Sequence, residues 1–386
     1  MRQYLLALAF APTLTAAVSF QKQVITEEFV AEGASVADFN GDGKMDIAAG
    51  PYVWFGPKFT TRINIRPTPN PVDPKNGYSD VFLSGAADLD GDGKQDIIQM
   101  GYPGTQALAY LNPGKKDTPW TKRVVFEPTD GECPALIQIT GDAKPELLCF
   151  SGGTNGFVEI AWGKEEKAGT YFPVSKVDGG LYQRYTHGQG AGDVNGDKRV
   201  DILDRTGWFE QPAKAGGPWT FHPANFGEGG AQMLVYDVNG DGRNDVVTSI
   251  QAHGYGISWF EQNKDGSFTE RHILQQDTAK NPGKVNFSQP HALAMADING
   301  DGIPDFVSGK RRWAHNEHGD PEPNADPVLF WFETKRDGRG GATFIPHEID
   351  RASGVGNQVD AVDVNGDRKI DVVVANKSGV FVFIQK

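Results

Sequence analysis

Asp38, Asn40, Asp42 and Asp46 occupy positions 1, 3, 5 and 9 of one nine-residue segment. That spacing gathers four side-chain oxygens round one point, with a backbone carbonyl near position 7. Such an oxygen cage suits a hard cation, and many ligands in a loose arrangement favour calcium over magnesium. Glycines at positions 4 and 6 permit the left-handed turn that wraps the chain round the ion. Unlike an EF-hand, the segment has no glutamate at position 12.

The pattern returns as Asp88, Asp90, Asp92, Asp96, and as Asp193, Asn195, Asp197, Asp201. It returns again as Asp237, Asn239, Asp241, Asp245, as Asp297, Asn299, Asp301, Asp305, and as Asp363, Asn365, Asp367, Asp371. Lys198 and Arg368 replace the second glycine in two copies. A degenerate copy from Gln138 to Glu146 has lost too many oxygens to hold an ion. The alternative for each loop is an acidic turn without metal.

Histidines supply a second kind of chemistry. The residue six places before each loop opens an apolar strand and points toward a common axis. Along the chain it is Glu32, Phe82, Glu132, His187, Ala231, His291 and Asn357. Five of these are polar or ionisable, where a purely structural ring would be small or apolar. Later connections add His253 and Tyr255, then Lys310, Arg311, Arg312, Trp313, His315 and His318. His187, His253, His291 and His315 are of a type to hold a borderline metal such as zinc. Glu132 or Glu228 is placed as a base, Arg311 and Arg312 as an anion-stabilising pair or a solvated surface pair, and Tyr255 or Trp313 as a platform for a sugar ring. His222, His272 and His347 recur in one kind of strand and read as scaffold.

The elements that must position these groups are strands. The seven loops begin at 38, 88, 138, 193, 237, 297 and 363, one four-stranded unit apart. Strand a precedes each loop, strand b follows it, strand c carries Trp-Phe, as at Trp208 and Trp331, and strand d alternates. The chain ends after the last strand c, and Phe20 to Ile25 reads as the missing strand d. The expected fold is therefore all-β: a seven-bladed β-propeller with calcium-binding loops between strands a and b, its ring closed by the N-terminal strand. The calcium loops mark one face of the disc, and the histidines gather on the other. In the sixth blade, 26 residues separate the last loop acid from the strand c Trp, against 8 in the first. Long loops on a rigid scaffold are where binding and catalysis concentrate.

A net charge of -13 excludes a nucleic-acid face. Residues 1–19 read as a signal peptide, with Arg2 before the apolar run Tyr4 to Ala17 and small residues at the cleavage site. No later apolar stretch reaches the ~20 residues of a membrane span. One domain, 20–386, is thus expected in a secreted or periplasmic setting. The two cysteines, Cys133 and Cys149, flank the degenerate loop, and a disulfide is permitted there. No Ser-His-Asp set, phosphate loop or dinucleotide fingerprint is legible, and oligomeric state is open.

The loops and their surroundings resemble the FG-GAP/VCBS repeats of integrin-like and bacterial secreted propellers. More narrowly, Ala252 to Glu261, Gln289 to Ala294 and Gly309 to Asn316 look like the propeller domain of aldos-2-ulose dehydratase. That resemblance implies a metal-assisted lyase that removes water from a keto-sugar. The family's fungal members also carry cupin domains that this chain lacks, so steps performed there do not carry over. The alternatives are a non-catalytic carbohydrate- or protein-binding propeller, and a polysaccharide lyase using Arg311 and Arg312 on uronates.

Overall fold

The computed structural model describes residues 17–114, 119–161 and 169–386. The predicted signal segment lies outside the described residues except for Ala17, Val18 and Ser19. Strands make up the regular structure of the described residues, with two short 3-10 turns at Thr278–Lys280 and Pro282–Lys284 and no α-helix. None of these elements is a helix long and apolar enough to cross a membrane.

The first repeat shows how the sequence builds its unit. Ser35–Ala37, Asp46–Ala49, Tyr52–Phe55 and Thr61–Asn64 pair antiparallel in that order as one sheet. Burial falls from strand b to strand d. Asp46–Ala49 is buried throughout, while Thr61–Asn64 is almost wholly exposed. An inner strand covered on both faces must be continuously apolar, whereas an outer strand facing water alternates. Strands b in later repeats, such as Asp245–Ser249 and Asp371–Asn376, are likewise buried throughout.

Five sheets result, of four, seven, eight, four and four strands. The seven-stranded sheet contains the 17-residue strand Thr121–Ile137, which pairs with both Thr105–Leu111 and Glu146–Ser151. In the eight-stranded sheet, Gln189–Gly192 joins Gln232–Tyr236 in parallel. Phe20–Thr26 pairs antiparallel with Gly379–Gln385, so the two ends of the described chain share a sheet. The core lies between neighbouring sheets. Ala48 and Val53 of the first repeat's sheet, for example, cluster with Ile97 and Tyr110 of the seven-stranded sheet and with Trp120 just before its strand Thr121–Ile137.

The ninth residue of each acidic loop locks its sheet together. Asp46 is fully buried, and its Oδ2 accepts the Phe39 N–H at 3.0 Å while its Oδ1 accepts the Gly56 N–H at 2.9 Å. Asp96, Asp201, Asp245, Asp305 and Asp371 repeat both bonds. The acid thus ties the a–b loop to the end of strand c. Hydrogen bonds to a charged group are worth about 1.5–3 kcal/mol each, and they offset much of the cost of burying the carboxylate.

The scaffold histidines divide. His222 stacks on Trp208 at 4.1 Å and bonds Glu210, and His347 stacks on Trp331 at 4.2 Å and bonds Glu333. His272 lies in the same kind of strand, Phe268–Leu274, but differs in its neighbour. It faces Ser258, and Arg271 takes the place opposite Trp259. The disulfide that the sequence left open is not formed: Cys133 and Cys149 are buried and unbridged. Strand pairing slips between Leu148, opposite Ala135, and Phe150, opposite Asp130, and the irregularity takes Cys133 out of register with Cys149.

Candidate functional site

The acidic loops are preshaped by their own backbone. Asp38 Oδ1 accepts the N–H of Gly41 and Asp42, and its Oδ2 accepts the N–H of Gly43. Asn40 Oδ1 accepts the Asp42 N–H, and Asp42 Oδ1 accepts the Lys44 N–H. Lys198 and Arg368, in place of glycine, both hold a φ of 69° and keep the same bond to Asp193 and Asp363. That backbone costs a non-glycine residue about 1 kcal/mol. In the second loop, carboxylate oxygens of Asp88, Asp90 and Asp96 lie within 4.8 Å of one another. All the donors are oxygens, so the loops fit a hard cation.

The Gln138 loop is built differently. Its Oε1 accepts the Gly141 N–H at 2.6 Å, as an aspartate would. Its Nε2 donates to the carbonyls of Asp142 and Lys144, at 2.5 and 3.0 Å. One amide therefore does the work of the carboxylate and also satisfies carbonyls that would otherwise face an ion.

The second site is assembled from distant segments. Glu132 lies in strand Thr121–Ile137, His187 just before strand Gln189–Gly192, His253 after strand Asp245–Ser249, and His291 in strand Pro290–Ala296. One ligand atom from each lies within 4.8 Å of the others. Glu132 Oε2 is 3.4 Å from His187 Nε2 and 3.3 Å from His291 Nε2, and His253 Nε2 is 3.2 Å from His187 Nε2. Local backbone sets these directions. The Glu132 N–H donates to the Thr186 carbonyl, and Gln289, at a φ of 59°, takes the Gly254 carbonyl and offers its own to Arg311.

Arg311 crosses the site, almost fully buried. Its Nε and Nη2 donate to Glu32 Oε2 at 2.8 and 2.6 Å, and its Nη1 lies 3.0 Å from His291 Nε2 and 3.4 Å from Glu132 Oε2. Burial alone would raise the Glu132 carboxyl, but bonds from His187 and His291 outweigh it and hold it well below its usual range. Burial and the Arg311 charge push His291 down to about 4. Burial, then the neighbouring His291 and His187, pushes His253 down as well. A carboxylate kept ionised and imidazoles that burial keeps from charging are ligand types a metal takes. Three nitrogens and one oxygen fit a borderline divalent cation.

A cavity of about 300 Å³ opens on these groups. Its lining divides by chemistry. Glu132, His187, His253, Arg311 and His315 are polar, whereas Tyr78, Phe82, Tyr102 and Tyr185 are aromatic. The tyrosines carried no repeat signal and were not legible as site residues. His315 stands at the rim, half exposed, its ring 4.1 Å from that of His253.

Other expected residues stand apart. Glu228 is exposed, and its carboxylate accepts from Gln251 at 2.8 Å. Tyr255 is half-buried beside Glu322 and does not line the cavity. Arg312 stacks on Trp313 at 4.1 Å, and neither lines the cavity. Lys310 is buried, bonds Ser288 at 2.6 Å, and is pushed down to about 8 by burial. His318 is exposed beside Glu317.

A family profile for the FG-GAP-like repeat matches residues 237–308. No curated protein sequence matches the chain. Among solved structures, an Agrocybe aegerita lectin specific for non-reducing terminal N-acetylglucosamine is similar at 17% identity and a TM-score of 0.50, over 91% of this chain and 84% of that one. Rhamnogalacturonan lyase YesW is 14% identical with a TM-score of 0.48, over 92% of this chain and 71% of that one. The chain thus carries an FG-GAP-like repeat and has the all-β fold of propeller proteins. Identities this low carry the fold and not the activity.

Proposed function

We propose that the chain is a secreted, calcium-loaded seven-bladed propeller that acts as a metal-assisted lyase on a keto-sugar. Seven blades are supported by the strand count, since Thr121–Ile137 serves two units and each of the others serves one. Calcium in six loops is supported by their all-oxygen donor sets, and its absence from the third by the Gln138 amide. One observation carries the catalytic reading: Glu132, His187, His253 and His291, from four separate segments, bring their ligand atoms together, with the first three lining the cavity and His291 buried behind them.

A divalent cation there, zinc in the first instance, supplies Lewis acidity toward a sugar carbonyl. Glu132 belongs to the ligand set and is not the base. His315, at the cavity rim with its Nε2 unengaged by Asp320, is the base that takes the C–H proton beside the carbonyl. The C–O bond one carbon further breaks, and the hydroxyl leaves as water with the proton that His315 has taken. Tyr78, Tyr102 and Tyr185 offer ring faces for the sugar.

Turnover of uronate polymers is disfavoured because Arg311, the one lining cation of fixed charge, is spent on Glu32 and Glu132. The test is zinc content after mild chelation, with 1,5-anhydrofructose or a 3-keto-glycoside assayed for an ultraviolet-absorbing enone. Bound zinc with enone formation is expected. Neither zinc nor product across such substrates overturns the lyase and leaves a carbohydrate-binding propeller, for which the aromatic lining then speaks.

A further inference from the structure

Asp320 lies in the long connection between strand Asp305–Lys310 and strand Leu329–Arg336, and nothing so far uses it. Its side chain is only 4% exposed although His315 beside it is 51% exposed. Its Oδ2 accepts the His315 peptide N–H at 2.8 Å, and its Oδ1 is 3.0 Å from His315 Nδ1. The same Oδ1 is 3.7 Å from His253 Nδ1, a buried nitrogen with no hydrogen-bond partner. One carboxylate oxygen thus faces the Nδ1 atoms of two imidazoles.

An ionised carboxylate only accepts, so His315 Nδ1, bonded to it, carries its hydrogen, and the same negative charge 3.7 Å from His253 Nδ1 favours a hydrogen on that nitrogen too. In a neutral ring the lone pair then sits on Nε2. For His253 that atom is 3.2 Å from His187 Nε2, inside the group that Glu132 and His291 complete. The opposite tautomer would point an N–H into the space a cation needs. The connection itself is pinned. Tyr78 donates to the Ala314 carbonyl at 2.9 Å, Lys377 to that of Trp313 at 2.8 Å, and Ser288 to that of Pro321 at 2.8 Å. Asp320 is therefore held in place by other blades rather than by its own loop alone.

We propose that Asp320 is a positioning residue for the metal centre, fixing the Nδ1–H tautomer of His253 and His315 so that both Nε2 lone pairs face the cavity. The inference rests on the reading of Glu132, His187, His253 and His291 as a metal site. It follows a general arrangement in which a carboxylate outside the ligand set orients a ligating imidazole.

The test compares the full-length wild type with Asp320→Asn, which keeps size and a carbonyl oxygen but can also donate. Imidazole ¹⁵N shifts are read on the zinc-free, calcium-loaded proteins, and zinc affinity by competition with a chromogenic chelator. The wild type is expected to show Nδ1–H at His253 and His315, the variant to lose it at one or both, and zinc affinity to fall about 10–100-fold. Asp320→Glu, which retains a carboxylate, keeps the tautomers and serves if Asp320→Asn does not fold. Nε2–H tautomers in the wild type, or unchanged tautomers and affinity in Asp320→Asn, overturn the proposal. A second zinc equivalent bound by the wild type and lost in Asp320→Asn makes Asp320 a ligand and overturns it too. A wild type that binds no zinc overturns the metal reading instead, while the tautomers, measured without zinc, still decide the role of Asp320.

Discussion

The acidic loops and the axial cluster are both dense in ionisable groups, yet they are made in opposite ways. Each loop takes its donors from nine consecutive residues, lies largely exposed, and is shaped by its own N–H groups. The axial cluster takes Glu132, His187, His253 and His291 from four segments, and Glu132 and His291 are buried. A loop can therefore keep its outline without an ion, because its local hydrogen bonds hold it. The axial groups hold their geometry only through the sheets that carry them.

Under the proposed calcium loading, the contrast is broken most severely by removing that ion. At a free concentration 100 times the dissociation constant, each loaded loop contributes about 2.7 kcal/mol to stability. Thermal melts with and without a calcium chelator should differ by many degrees. A melt indifferent to calcium would remove the distinction between loaded loops and ordinary turns.

Next comes His291→Ala. Zinc affinity should fall by more than about 100-fold, beyond the range for groups outside the ligand set. The calcium-dependent shift in melting temperature should persist. Parallel loss of both would mean that the two regions are not independent.

The third loop sharpens the comparison from within. Gln138→Ala removes the donor to the exposed Asp142 and Lys144 carbonyls and should cost about 0.5–1.5 kcal/mol whether or not calcium is present. Asp88→Ala, by contrast, should reduce the stabilisation that calcium confers. Equal calcium dependence of the two losses, followed by denaturant titration, would count against the self-filled loop.

The last effect concerns pH. Lys377 is 4% exposed and donates to Trp313 in the connection over the site, and burial pushes it down to about 8. A lysine depressed in the folded state binds its proton more weakly there than when unfolded. The cost of keeping it charged is present in full below pH 8 and is relieved as pH rises toward the unfolded value of about 10.4. Between pH 7.5 and 9.5 the wild type should therefore gain about 1–2 kcal/mol relative to Lys377→Met. An identical pH slope for both proteins would show that Lys377 is better solvated than its position implies.

Much of this was legible before any coordinates. Asp38, Asn40 and Asp42 announce a loop because their spacing alone converges the oxygens. The ninth acid was legible as a ligand but not as the staple between loop and strand c, since Gly56 and Asn112 carry no mark of accepting that role. Counting back six residues from each loop reached Glu132, His187 and His291. Residue type in the connections also offered Glu228, Tyr255 and Arg312, which lie elsewhere. Residue type cannot separate them, because side-chain direction at a connection depends on which carbonyls the neighbouring sheets leave open. Asp320 and the tyrosines at 78, 102 and 185 sit in irregular connections with no period to betray them.

The amino-acid sequence by itself determined the repeat, the strand-rich architecture and the acidic loops, because each depends on contacts within one repeat. Only the tertiary structure decided which histidines meet, that Arg311 is buried between two glutamates, and that Asp320 stands behind two imidazoles. Those outcomes follow from how separate sheets pack round a common centre, and distance along the chain carries no information about distance across it.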